Sequence, residues 1–160
     1  GVHQSGLITT ATSFDSGLLV PASAGWNKAD VLRRAIQQLE SSDFDCTGIV
    51  VNPVDWADIE VSKSTTYEYA IGDARQSLPL TLWGRGLVVT NSIASGTFLV
   101  GDFASGAHIR DRQDGTIDVS DSHDDFFVKN LIALRAESRF ALVKTRPAAF
   151  VTGSFSTSPA

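Results

Sequence analysis

Val31, Leu32, Ala35, Ile36 and Leu39 recur at three-to-four spacing, with Arg33, Arg34, Gln37 and Gln38 on the opposite side. That stripe predicts an amphipathic helix. Its start is written in WNKADV: Asn27 can cap, Asp30 occupies the third helical position, and Trp26 and Val31 are spaced for a hydrophobic staple. Further on, GIVVN (residues 48–52) is a short continuous apolar run that reads as a buried strand. Asn52-Pro53 then repeats the start signal, with Asn as cap, Pro at the first helical position, and Val51 and Trp56 as staple. A second helix is predicted from about Pro53 to Ser62.

From Leu80 the pattern turns to β. TLWGRGLVVTN, GTFLVGDF and AHIRDRQDGTIDVS are short, β-branched or aromatic, and bounded by Gly or Asn. Asp114-Gly115 predicts a two-residue hairpin, and Gly84-Arg85-Gly86 reads as a turn. The stretch FVKNLIALRAESRF (127–140) looks helical until its period is counted. Ile132, Leu134, Ala136, Phe140 and Leu142 are apolar at even positions, and Arg135, Glu137 and Arg139 are charged at odd ones. Period two predicts a long strand from about Val128 to Thr145, ended by Arg146-Pro147, with a last strand in AAFVTGSF. Residues 1–25 read as loops and short strands, and 63–77 as a long loop carrying Tyr67 and Tyr69. Helices early and paired strands late describe an α+β fold.

Composition narrows the classes of function. The 160 residues are one domain's worth of chain, 42% hydrophobic and 19% charged, far from the composition of disorder. A net charge of -5 argues against a protein that neutralises phosphates, so no specific nucleic-acid site is expected. No apolar run reaches the roughly 20 residues of a membrane span. The chain holds no methionine and opens at GVHQSGLITT, which reads as a processed chain or an excised fragment. Its one cysteine, Cys46, precedes a buried strand and reads as a reduced core thiol.

Candidate chemistry is sparse. His3, His108 and His123 fall in no metal-ligand spacing, and Asp111 to Asp118 lacks the alternating oxygens and terminal Glu of a calcium loop. Neither a metal nor a cofactor is expected. One charge pattern stands out: residues 111–125 hold six acids, and 126–146 hold five bases against Glu137 alone. It is either a solvated loop followed by a half-exposed strand or a pair of complementary surfaces on neighbouring copies.

Four pieces in order, LTLWGRGLVVTN, GTFLVGDF, HIRDRQDGTIDVS and FFVKNLIALRAESRFALVKTRPAAF, together with GIVVNPVDW, resemble the C-terminal half of tailed-bacteriophage major capsid proteins of the Hong Kong 97-like fold. The resemblance runs from about Gly6 to Ser156. It implies an axial domain in residues 1–114, opening segment included, and returning strands of the peripheral domain in 115–160. The family's N-terminal arm, extended loop and spine helix have no counterpart here, which would leave an apolar sheet face uncovered. The implied function is structural: self-assembly through pentamers and hexamers into an icosahedral phage or prophage shell enclosing DNA. Partners would be other copies of the chain, with scaffolding and portal proteins, and the place the virion capsid, assembled in the bacterial host cytoplasm.

Some members of that family crosslink their shells, a lysine of one subunit attacking an asparagine of another with help from a glutamate. The matching positions are Asn130 as acceptor and Glu137 as assisting carboxylate, and the lysine lies outside this chain. On a continuous strand the two would be about 23 Å apart and on opposite faces, so they would cooperate only across a subunit boundary. Alternatively, Asn130 hydrogen-bonds an edge and Glu137 pairs with Arg135 or Arg139. An encapsulin-like compartment shares the fold implied. A small α+β enzyme or ligand-binding module with a cleft near Trp83 and Tyr67 is the alternative of another class, although no convergent acid-base set supports it.

Overall fold

The computed structural model describes residues 6–20, 26–62, 80–122 and 125–155. The elements are a short helix α1 (Leu7–Thr10), β1 (Thr12–Ser13), helix α2 (Lys28–Glu40), β2 (Gly48–Val51), helix α3 (Pro53–Glu60), β3 (Thr81–Leu82), β4 (Arg85–Val89), β5 (Thr97–Gly101), β6 (Ala107–Ser120), β7 (Ala133–Lys144) and β8 (Phe150–Ser154). The chain divides into two compact units, Gly1–Ala107 with Lys144–Ala160, and His108–Val143.

The first unit is built on a mixed six-stranded sheet in the order β1-β8-β5-β2-β4-β3. Helix α2 forms where the sequence places it: the Asn27 side chain accepts from Asp30 N–H at 2.9 Å and Asp30 accepts from Asn27 N–H at 3.1 Å, which closes the capping box. All five apolar stripe residues are buried, packed with Ile49, Val51, Leu87, Phe98, Val100 and Val151 from the sheet. Asn52 caps α3 through Val54 N–H, and its amide donates to the Ile93 carbonyl at 2.8 Å. One interior charge holds the helices together. The Lys28 ammonium meets the fully buried Asp55 at 2.7 Å and Asp58 at 2.5 Å, and Asp55 also accepts from Gly96 N–H at 2.7 Å. Burial works against the Lys28 charge, but the bonds to both carboxylates outweigh it and raise the pKa.

On the other face, three glycines stand side by side, Gly86 opposite Gly48 and Gly48 opposite Gly101. The ring of Phe150 lies over Gly101 and that of Phe103 over Gly48, and the two rings meet edge to face at 5.3 Å. Among the described residues, nothing comparable covers Gly86.

The second unit is a ribbon of β6 and β7. Gly106 accepts from Thr145 N–H at one end, and Asp118 meets Arg135 at 2.7 Å toward the other, so the strands run antiparallel. The second contact puts the even positions of β6 and the odd positions of β7 on one face. That face is polar, with Arg110, Arg112, Asp114, Asp118, Arg135, Glu137 and Arg139. The opposite face carries Ile109, Ile117, Val119, Leu134 and Phe140, all exposed.

Three expectations change. No hairpin forms at Asp114-Gly115: β6 runs straight through, and Gly115 lacks the positive φ that a two-residue turn demands. Such a turn occurs at Trp83-Gly84, with φ of 54° and 72°, joining β3 to β4. The strand expected from Val128 begins at Ala133, because residues 125–130 coil into a turn. Finally, β8 pairs along its length with β5 in the large sheet, so residues 115–160 do not form one unit. Tyr67, Tyr69, His3, His123 and the loop 63–77 lie outside the described residues.

Candidate functional site

The turn before β7 decides the geometry at Asn130. Leu131 N–H donates to the Phe126 carbonyl at 2.8 Å, Asn130 N–H donates to Phe127 at 3.3 Å, and Asn130 has a φ of 53°. This is a Schellman closure with Asn130 at the left-handed position, which asparagine tolerates better than most residues. Lys129 N–H bonds back to Asp125, and the Lys129 ammonium pairs with the Asp125 carboxylate. Asn130 therefore stands at the end of a compact turn and not in the strand. Beside it, Phe127 and Val128 are 81% and 85% exposed.

Glu137 lies within β7 on the polar face, its side chain 31% exposed. Its Oε1 accepts from Arg139 Nε at 2.9 Å and Nη2 at 2.6 Å, and Oε2 has no hydrogen bond among the described residues. On the other side Arg135 is committed to Asp118, which raises the guanidinium pKa, with a further contribution from the charge of Glu137.

Asn130 and Glu137 share no hydrogen bond within the chain. The opposite-face argument drawn from a continuous strand does not apply to a residue in a turn; the two are separated because they belong to different local structures. Lys129, next to Asn130 in the turn, pairs with Asp125. Sequence reading missed the turn, which was signalled by Asp125 and Lys129 at helical i,i+4 spacing. The pairing of Glu137 with Arg139 was one of its alternatives, and it forms between two charges at i,i+2 on one strand face. The two charge blocks meet inside the ribbon, through Asp118 with Arg135 and Asp125 with Lys129.

Among the described residues, the surroundings of Trp83 hold no such constellation. Trp83 sits 54% exposed at a hairpin tip. The shallow trough nearby, about 320 Å³, is lined by Thr47, Gly48, Val50, Gly86, Val88 and Phe103, with no titratable side chain. Among the described residues no three His, Cys, Asp or Glu side chains converge as metal ligands do.

Comparison with known proteins supplies the context for this geometry. The sequence profile described as the phage capsid family matches residues 1–155. The chain belongs to the phage capsid family. This capsid chain is 37% identical over 156 residues to the major capsid protein of Enterobacteria phage HK97, covering 98% of its own length and 40% of the relative's. It thus spans about two fifths of that protein. Among solved structures, the capsid of an empty GTA particle aligns with a TM-score of 0.71 at 17% identity, over 95% of this chain and 56% of the other. A virus-like particle from Pyrococcus furiosus aligns at 0.61 and 14% identity, over 91% and 56%. The α+β architecture is that of the Hong Kong 97-like capsid fold.

Proposed function

We propose that this chain is the axial part and a piece of the peripheral part of a major capsid subunit, which self-assembles through pentamers and hexamers into an icosahedral shell enclosing DNA. The observation that carries the reading is the 37% identity, sustained over 98% of the chain, to a phage major capsid protein. The axial role falls to the six-stranded unit and the peripheral role to the β6–β7 ribbon. The exposed apolar face of the ribbon then meets the spine helix of the full-length subunit. Scaffolding and portal proteins are the further partners, and assembly takes place in the host cytoplasm. Electron microscopy of the full-length protein tests this: closed shells or rings support it, and a monomer with catalytic turnover overturns it.

The finer reading is a covalent shell. A lysine amine from another copy attacks the Asn130 side-chain carbonyl carbon and a C–N bond forms. Glu137, from whichever copy brings it near, takes the ammonium proton beforehand and returns it to the departing ammonia, so the products are an isopeptide and ammonium. An exposed acceptor in a hydrogen-bonded turn, with exposed Phe127 and Val128 in the same turn, suits a site that becomes dry only when a neighbour covers it. Asn130→Asp keeps the left-handed turn and removes the amide that leaves. Mature wild-type shells run as covalent ladders on denaturing gels and the variant as monomer; a wild-type monomer band overturns the reading.

A further inference from the structure

We propose that Arg139 is a positioning residue for the crosslinking reaction: it fixes the Glu137 carboxylate by one oxygen so that the other faces the incoming amine. The inference rests on the covalent-shell reading above. The residues are two apart on β7, which places them on the same face by strand alternation alone.

The contact is a fork onto a single atom. Both Nε and Nη2 of Arg139 donate to Oε1, at 2.9 and 2.6 Å, and Oε2 makes no hydrogen bond among the described residues. A lone glutamate on a ribbon surface samples several rotamers about three torsions, and ordering it at the moment of reaction is an entropic cost. The planar guanidinium, offering two donors in fixed geometry, meets that cost before the amine arrives.

The neighbours favour Arg139 over any other residue in this role. Arg135, the other cation flanking Glu137 on the strand, is held by Asp118 at 2.7 Å. From β6, Arg112, Asp114 and Asp118 lie on the same face, and none of them bonds to Glu137. Glu137 thus has one oxygen tied by two donors of Arg139 and one oxygen open, whereas Asp118 is held through one oxygen by a single donor of Arg135.

The chemistry needs that arrangement. The proton acceptor must reach an ammonium carried by another copy while the Asn130 carbonyl is approached from a defined side, and misplacement by an ångström costs heavily in rate. A fork that occupied both oxygens would block transfer. One that occupies a single oxygen orients the group and leaves it competent.

The test uses shells assembled from full-length protein carrying Arg139→Gln or Arg139→Lys, with crosslinking followed over time on denaturing gels and assembly by sedimentation. Shells are expected in wild-type yield, with crosslinking slowed about fivefold in Arg139→Gln, the scale of a partly exposed charge contact. Arg139→Lys, which retains the charge and a donor, recovers part of the rate. A purely structural role for Arg139 would change assembly and not the rate, and it would show no recovery by lysine. Should Arg139→Gln not assemble alone, a tagged minority co-assembled with wild type reads the same quantity, its entry into the ladder lagging a tagged wild-type control. Wild-type crosslinking with an unchanged or faster rate in Arg139→Gln overturns the positioning role alone, whereas absence of ladders in the wild type overturns the covalent-shell reading itself.

Discussion

Leu131 N–H reaches back to the carbonyl of Phe126 at 2.8 Å, and the chain turns between them through Asn130 in the left-handed region. This relationship makes Asn130 a conformational residue as well as a candidate acceptor. Asn130→Gly is expected to leave thermal stability within a few tenths of a kcal/mol, since glycine adopts this φ freely. Asn130→Ala is expected to lose about 1 kcal/mol. Thermal unfolding of the two variants separates the roles, and equal loss in both would show that the side chain, and not the backbone angle, matters to folding.

Trp83 holds a φ of 54° at an exposed hairpin tip, where asparagine followed by glycine fits best. Trp83→Asn is expected to raise stability by roughly 0.5–1 kcal/mol, read as a higher denaturant midpoint at unchanged slope.

The glycine row is asymmetric. At Gly101 a Cβ would collide with the Phe150 ring, whereas at Gly86 the nearest atom among the described residues is the Thr47 carbonyl oxygen at 3.7 Å. Gly101→Ala is expected to cost about 1–3 kcal/mol by overpacking. Gly86→Ala should stay within about half a kcal/mol in the same unfolding measurement.

Cys46 is fully buried, its thiol directed to the Gly48 carbonyl at 3.6 Å, and burial pushes its pKa up. An aromatic disulfide reagent is expected to modify it only as fast as the protein opens. Prompt labelling of the native chain would contradict this placement.

Asp102 accepts from the Ser105 hydroxyl at 2.5 Å and from the backbone N–H groups of Ser105 and Ala104. The Ser105 hydroxyl leads in holding its pKa below 3.8; burial opposes, and the two backbone bonds and the Arg146 charge assist. A depressed carboxylate contributes stability above its unfolded value and loses it as pH falls through the folded one. Urea unfolding should therefore separate wild type from Asp102→Asn at pH 6. The gap should narrow below about pH 3.8.

Local signals were legible where the structure uses them locally. Asn27, Asp30 and the stripe from Val31 to Leu39 specify α2 within 13 residues, and Asn52-Pro53 does the same for α3. The alternation from Ile132 onward marked β7 and the polar face that carries Glu137. Asp114-Gly115 misled because a dipeptide's turn preference yields to pairing along a 14-residue strand. Asn130 was misplaced because period two was extended backward to Val128, which belongs with Phe127 to a turn. Lys28 meeting Asp55 and Asp58, and β8 meeting β5, are set by tertiary packing across stretches that carry no local mark.

Within the larger unit the Gly106 carbonyl accepts from both Thr145 and Arg146 N–H, so the chain positions that bracket the ribbon lie side by side. Its two ends already touch, so a gene can lengthen, shorten or replace the excursion between them without rethreading the sheet. Heredity is free to tailor one module while the other stays fixed.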